Sequence, residues 1–368
     1  TNAGSSSSQP KPTQEQLARL SGIGLHAYPV SVSWQPPFDM LLNEAQVEYH
    51  EDKAIAKWGI GQGGLAPFLQ PSRVDLLIAA LKTRPQSEVL VDSGAGLGFL
   101  SMAAAAAGRQ VISWGHSSDN ELFMWGIKAN GMEKQIDLHE GVLHNGTRAH
   151  CIDSLEPAHS LAHESHHPFS SHHSLEDDVV ACNATITSTP MDEALRKLSH
   201  SVDPVRVGAL SITLGGQAGW MLDGAAATLA THPPAAVLIE TSGEGLERAG
   251  YSISQLLNKM FKWGFVDVFH SGNICHERWE DVAHMDPSRH QNWTQWPPEG
   301  DRYWPMTRLP NWCRLCVGGN DRISDIDHFA DKATTGWTAN ITETLLFFHS
   351  SMELMALGVE AQDTCRIR

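Results

Sequence analysis

From residue 85 onward, short apolar runs alternate with longer stretches whose apolar positions recur at helical spacing. Residues 88–92 form an apolar run ending in a Gly-rich turn, the pattern of a buried strand. The Ala-rich stretch 99–107, stopped by Gly108, predicts a helix. Residues 110–114 predict a second strand, 119–129 a helix closed by Asn130-Gly131, and 135–139 a third strand. After a long interruption the pattern resumes. Residues 207–214 predict a strand, 221–231 a helix, 235–240 a strand, 252–263 a helix and 265–269 a strand, with 312–317 as the expected last strand. Alternation of this kind predicts an α/β fold, a mostly parallel sheet with helices on both faces.

The flanks read differently. Residues 1–34 are expected to form a polar N-terminal stem, with Ser5–Ser8, Pro10 and Pro12 at its start. Residues 35–84 read as a partly helical segment packing on the core, with the apolar stretch 74–82 leading into the first strand. The α/β unit spans 85–325 and carries insertions at 150–182 and 271–311, and residues 326–368 read as a C-terminal extension. The first insertion is rich in His and Ser. His159, His163 and His166 would share one face of a helix, as metal ligands must, but Pro168 and the many Ser favour a solvated loop, and no metal site is expected. The second carries Trp279, Trp293, Trp296 and Trp304 and reads as a packed cap over the sheet. Cys313 and Cys316 lie three apart on an expected strand, so they face opposite sides. They are read as separate thiols, one of them expected to pair with Cys275.

The turn Val91-Asp92-Ser93-Gly94-Ala95-Gly96-Leu97-Gly98 links an expected strand to an expected helix. Glycines at such a junction let the backbone approach a ligand and open the helix N-terminus toward it. A dinucleotide fingerprint, G-x-G-x-x-G, would need Gly at position 99, which is Phe. The spacing G-x-G-x-G after an Asp instead resembles the first motif of class I S-adenosylmethionine methyltransferases. The resemblance narrows to the FkbM-type family over residues 85–270. The V-D-V-G-A-N-x-G opening of that family is similar to residues 91–98. Its T-L-D-x-L motif is similar to Thr189-Pro190-Met191-Asp192-Glu193-Ala194-Leu195. Its K-I-D-V-E-G-x-E-x-x-V-L-x-G-A segment keeps Ile212, Gly216, Leu222, Gly224 and Ala225 in register, and the strand 236–240 ends in Glu as the family's does. The resemblance implies a Rossmann-like class I methyltransferase fold with a seven-stranded, mostly parallel sheet. It also implies S-adenosylmethionine as cofactor, O-methylation as activity, and a sugar or glycan hydroxyl as acceptor. Asp92, Gly94, Ala95, Gly96, Gly98 and His116 would then hold the cofactor, and Glu240 is the catalytic candidate.

The departures from that family are chemical. The acid expected after the second strand, which accepts from the cofactor's ribose hydroxyls, is replaced by Gly115 and His116. The three acidic positions of the D-V-E-G-x-E segment are Thr213, Gly215 and Ala218. Thr and Gly can act neither as a base nor as a carboxylate ligand. Asp92, Asp192 and Glu240 remain, and Asp119 or Glu121 could stand in at the ribose. The expectation is a weakly active or non-catalytic protein serving as a binding or structural subunit, with a protein partner in a larger assembly. The alternative is an active O-methyltransferase with a glycan acceptor.

Charge and composition narrow the partners and the compartment. With 26 Lys+Arg against 42 Asp+Glu the formal net charge is −16, which disfavours nucleic acid and anionic membranes as partners. The longest apolar candidate for a span, residues 89–112, contains Asp92, Arg109 and four Gly, so no membrane span is expected. Six Cys are too sparse for a disulfide scaffold at this length. Four N-x-T sequons occur, at Asn145, Asn183, Asn292 and Asn340, where chance pairing leads to about 0.6. They point to a glycoprotein of the secretory lumen or the cell exterior, with an intracellular or organellar location as the alternative. The first residue is Thr rather than Met, in keeping with a removed leader or anchor.

Overall fold

A computed structural model describes residues 25–30, 38–43, 71–115, 118–147, 149–151, 185–199, 204–241, 243–271, 313–315 and 343–351. Its strands are β1 Leu25–Val30, β2 Phe38–Asn43, β3 Val89–Ser93, β4 Val111–Gly115, β5 Ile136–Glu140, β6 Val142–His144 and β7 Ala149–Cys151. They continue with β8 Thr185–Pro190, β9 Val207–Ile212, β10 Ala236–Thr241, β11 Phe265–Ser271, β12 Cys313–Leu315 and β13 Glu343–His349. The helices are α1 Pro71–Lys82, α2 Phe99–Ala106, α3 Ser118–Ala129, α4 Met191–Leu198, α5 Ala218–Gly224, α6 Ala226–Thr231, α7 Gly243–Arg248 and α8 Ile253–Lys262.

The main sheet has the order β5-β4-β3-β9-β10-β13-β11, with three-residue β12 added at the edge. β5, β4, β3, β9 and β10 run parallel, while β13 is antiparallel to both β10 and β11. This is the Rossmann-like, seven-stranded, mostly parallel sheet expected of a class I methyltransferase fold. Its strand order reverses between β3 and β9, where such sheets open a crevice at the carboxyl ends of the strands.

Successive residues of each central strand face opposite layers. Val89 and Val91 of β3 join a core with α4 to α8, through Leu195, Met221, Leu229, Leu246 and Leu256. Leu90 faces the other way, into a core with Leu77 and Leu81 of α1, Ala103 of α2 and Phe123 of α3. Burial on both faces explains why these strands read as continuous apolar runs rather than alternating ones. The Ala side chains of α2 let it lie close on the sheet, and Ala103 and Ala104 are fully buried.

Four expectations change. Residues 25–30, inside the segment read as stem, form β1, and residues 38–43, inside the segment read as partly helical, form β2. The two pair as an antiparallel hairpin. Asn130 at the end of α3 ties the hairpin down by exchanging two hydrogen bonds with the Asp39 backbone, at 2.8 and 2.7 Å. The expected helix 221–231 is two helices, Ala218–Gly224 and Ala226–Thr231, that meet at Ala225, whose φ of −107° and ψ of 6° leave the helical range. The stretch 312–317 supplies only the edge strand β12. The seventh strand is β13, from the segment read as an extension, and Leu345 to Phe348 are fully buried between β10 and β11. Residues 152–182 and 272–311 of the two insertions lie outside the described residues.

Candidate functional site

The Gly-rich turn closes β3 at the crevice. Gly94, Gly96 and Gly98 all have positive φ, between 51° and 83°. The N–H groups of Gly94 and Ala95 both donate to the Trp114 carbonyl of β4 at 3.0 Å, so these two donors are used within the sheet. Helix α2 begins after Gly98 with no side-chain cap. The Ser101 N–H in its first turn is directed at the Asp92 carboxylate, which serves this helix start from within the sheet.

Asp92 lies beneath this turn, 2% exposed. Its carboxylate accepts from the Ser101 hydroxyl of α2 at 2.6 Å, and Ser101 lies 2.6 Å from the Ser113 hydroxyl of β4. Burial pushes its pKa up to about 6. The Ser101 and Ser211 hydroxyls hold it back, and the field of Glu240 adds to the rise. A carboxylate so enclosed positions α2 and the turn but does not itself present an oxygen to a ligand. Glu240 is partly exposed near the end of β10. Asp92 pairs with Ser211 and Ser211 pairs with Leu238, so Glu240 stands two residues further along the same face, two strands over from β3 with β9 between.

Two of the positions where the resemblance leads to an acid, Gly115 and Thr213, are taken up by structural contacts. Gly115 ends β4, and its carbonyl accepts from Asn120 Nδ2 at 3.0 Å and from the Gly141 N–H at 3.0 Å. Asn120 Oδ1 covers the Gly115 α-carbon and has no hydrogen-bond partner among the described residues. Thr213, just beyond β9, donates its hydroxyl to the carbonyls of Gly94 and Ser93. A side chain at Gly94 would meet Thr213, since a β-carbon there would lie 2.7 Å from the Thr213 carbonyl oxygen. The position thus serves as a clamp on the turn. Asp192, retained from the T-L-D-x-L motif, accepts from the N–H groups of Ala227 and Thr228 and from the Thr228 hydroxyl, at 2.8, 2.9 and 2.6 Å. It caps α6 and takes no place in the crevice. Glu121 is exposed on α3. His116 and the side chain of Asp119 lie outside the described residues, as do Asn183, Asn292 and Asn340.

One cluster between β6 and α5 escaped the sequence reading. His144, 1% exposed, lies 2.7 Å from Asn145 Oδ1 and 3.1 Å from Gln217 Oε1. It stacks on Trp220 at 5.9 Å, and the Trp220 indole donates to the Ala249 carbonyl at 2.8 Å. Tyr251 meets Trp220 edge-on at 6.1 Å and carries Lys259 over its ring at 4.8 Å. Gln217, between two expected acid positions, therefore holds the loop to β6 through His144. The signal in the sequence is a single polar side chain, Gln217, in the otherwise small and apolar run Gly215-Gly216-Gln217-Ala218-Gly219-Trp220.

No protein-family model matches the sequence, and no curated protein matches it. Among solved structures, the chain is similar to protein PH0793 of Pyrococcus horikoshii (TM-score 0.31, 10% identity, 66% of this chain and 62% of that one). It is similar to a geranyl diphosphate methyltransferase solved with GPP and sinefungin (TM-score 0.33, 12% identity, 78% and 83%). It is also similar to the precorrin-6y C5,15-methyltransferase of Geobacter metallireducens GS-15 (TM-score 0.30, 10% identity, 81% and 96%). The chain spans less than two thirds of protein PH0793.

Proposed function

We propose that this chain is an FkbM-like methyltransferase-fold protein whose cofactor crevice has been turned to structural use, leaving it weakly active or non-catalytic as a binding or structural subunit. The observation that carries this reading is the fate of the acid positions. Thr213 clamps Gly94, and Asn120 fills the space in front of Gly115. A tightly held S-adenosylmethionine does not fit the described residues, because no carboxylate stands at Gly115 to accept from its ribose hydroxyls. Without those charge-assisted bonds affinity falls by about 1.5–3 kcal/mol, roughly ten- to a hundredfold. On the acceptor side, neither the Thr213 hydroxyl nor Gly215 can take up a proton from a sugar hydroxyl.

The second reading, an active O-methyltransferase on a sugar or glycan hydroxyl, draws on Glu240, a partly exposed carboxylate near the end of β10, and on the Gly-rich turn that the buried Asp92 supports. Calorimetric titration with S-adenosylmethionine and with its demethylated product separates the two. The first reading expects weak or undetectable binding and no methylation of sugar acceptors. Micromolar affinity with product formation would establish the second, and Glu240→Gln should then lower kcat more than it weakens cofactor binding.

A further inference from the structure

At the opposite end of the main sheet's strands, where the parallel strands begin, a cleft of about 290 Å³ opens among the ends of α1, α6 and β13 and the start of β9. Arg84, Glu88, Arg206, Thr231, His232 and His349 line it. In a chain of net charge −16, two guanidinium groups around one carboxylate run against the average, while burial and the Arg84 charge hold the His349 imidazole below its ordinary pKa. That carboxylate is already engaged. Glu88 accepts from Arg84 Nε at 2.7 Å and from Arg84 Nη2 at 3.2 Å. Arg206 is exposed and makes no ion pair with any described residue, so its charge is the one left over in the cleft.

The walls are fixed. Arg109, 3% exposed, donates to the carbonyls of Arg84, Pro85 and Glu88 at 3.3, 2.7 and 3.1 Å, which pins the loop that carries Arg84 and Glu88. On the far side, the His349 N–H donates to the Ala235 carbonyl at 3.0 Å and the Ser350 N–H to the Gly264 carbonyl at 2.8 Å. At the end of α6, the His232 N–H donates to the Thr228 carbonyl at 2.9 Å and closes the last turn. A ligand entering this cleft orders little that is not already ordered.

We propose that the cleft binds a small phosphate-bearing ligand, its oxyanion held by the planar fork of Arg206 with Arg84 alongside. Guanidinium groups match phosphate oxygens in geometry as well as in charge. The site is independent of the crevice at the Gly-rich turn and does not rest on the function proposed for it.

The test is calorimetric titration of the full chain with inorganic phosphate and, separately, with phosphoserine, against chloride at matched ionic strength. Either phosphate compound binding saturably supports the site, and the tighter one distinguishes a free ion from an ester. Arg206→Ala should weaken binding at least about tenfold and Arg206→Lys by less, since Lys keeps the charge but loses the fork. Lys134→Ala, which removes an exposed charge from the turn before β5, should leave binding unchanged. Arg206 is exposed, so its variants should keep the parent's urea midpoint. Phosphate binding no better than chloride, or equal weakening by Arg206→Ala and Lys134→Ala, would overturn the proposal.

Discussion

A β-carbon on Gly115 would stand 2.2 Å from Oδ1 of Asn120. The loss of the acid at this position is therefore more than a missing charge, because the volume a side chain would need is taken. Gly115→Glu alone should improve S-adenosylmethionine affinity by less than about tenfold, since the new side chain must first displace the Asn120 amide. Adding Asn120→Ala clears the space, and the Gly115 carbonyl keeps its bond from the Gly141 N–H. The double variant should bind about ten- to a hundredfold more tightly than the parent by calorimetry. Equal affinities for the single and double variants would show that Asn120 is not the obstruction.

The part of the fold made by neighbouring strand–helix units was legible because each unit carries its own signal. The apolar runs at β3, β4, β9 and β10 and the Gly turn before α2 are all local features. Strand β13 was not, because its place between β10 and β11 depends on antiparallel pairing with residues some 75 to 110 positions away. The hairpin of β1 and β2 escaped for the same reason, since Asn130 secures it from a distant helix. At the site, sequence reasoning sought a replacement acid and named Asp119 and Glu121, whereas the side chain that packs on Gly115 is the amide between them. Charge pointed to the neighbours, and only geometry identifies Asn120.

The turn separates strain from crowding. Gly96 and Gly98 both have positive φ, but a β-carbon on Gly96 meets nothing within 4 Å while one on Gly98 would lie 2.0 Å from the Phe123 ring. Gly96→Ala should cost about 1–2 kcal/mol, the left-handed backbone penalty alone. Gly98→Ala adds overpacking against a ring that is 1% exposed and should cost about 2–4 kcal/mol. Urea unfolding of the two variants measures the difference. Equal losses would mean that Phe123 gives way freely.

Asn145 is the one sequon residue of the four that the structure describes, and it is exposed on the turn after β6 together with Thr147. Its Oδ1 faces His144, and the oxygen is not the atom that N-glycosylation uses. Protein from its native source should lose mass on treatment with a glycan-removing enzyme, and Thr147→Ala should remove one glycan's worth of that change. No mass change at any of the four Asn would place the chain outside a glycosylating lumen.

The buried Asp92 gives stability a pH dependence of definite sign. Its pKa stands at about 6 in the folded chain against an ordinary 3.8, chiefly through burial. Between about pH 4 and pH 6 the folded state therefore holds more of this proton than the unfolded state does. Stability falls as pH rises through that window. Above it the ionised, enclosed carboxylate costs about 3 kcal/mol, from roughly two units at about 1.4 kcal/mol each. Asp92→Asn keeps an acceptor for the Ser101 hydroxyl and carries no charge. Its urea-unfolding free energy should match the parent's near pH 4 and exceed it by about 3 kcal/mol at pH 7. Glu240→Gln removes a like charge that helps raise the Asp92 pKa, so it should reduce the parent's slope across the same window without abolishing it. A difference between Asp92→Asn and the parent that stays constant from pH 4 to pH 7 would mean that Asp92 does not titrate in this range, and that Ser101 and Ser211 stabilise its charge more than burial opposes it.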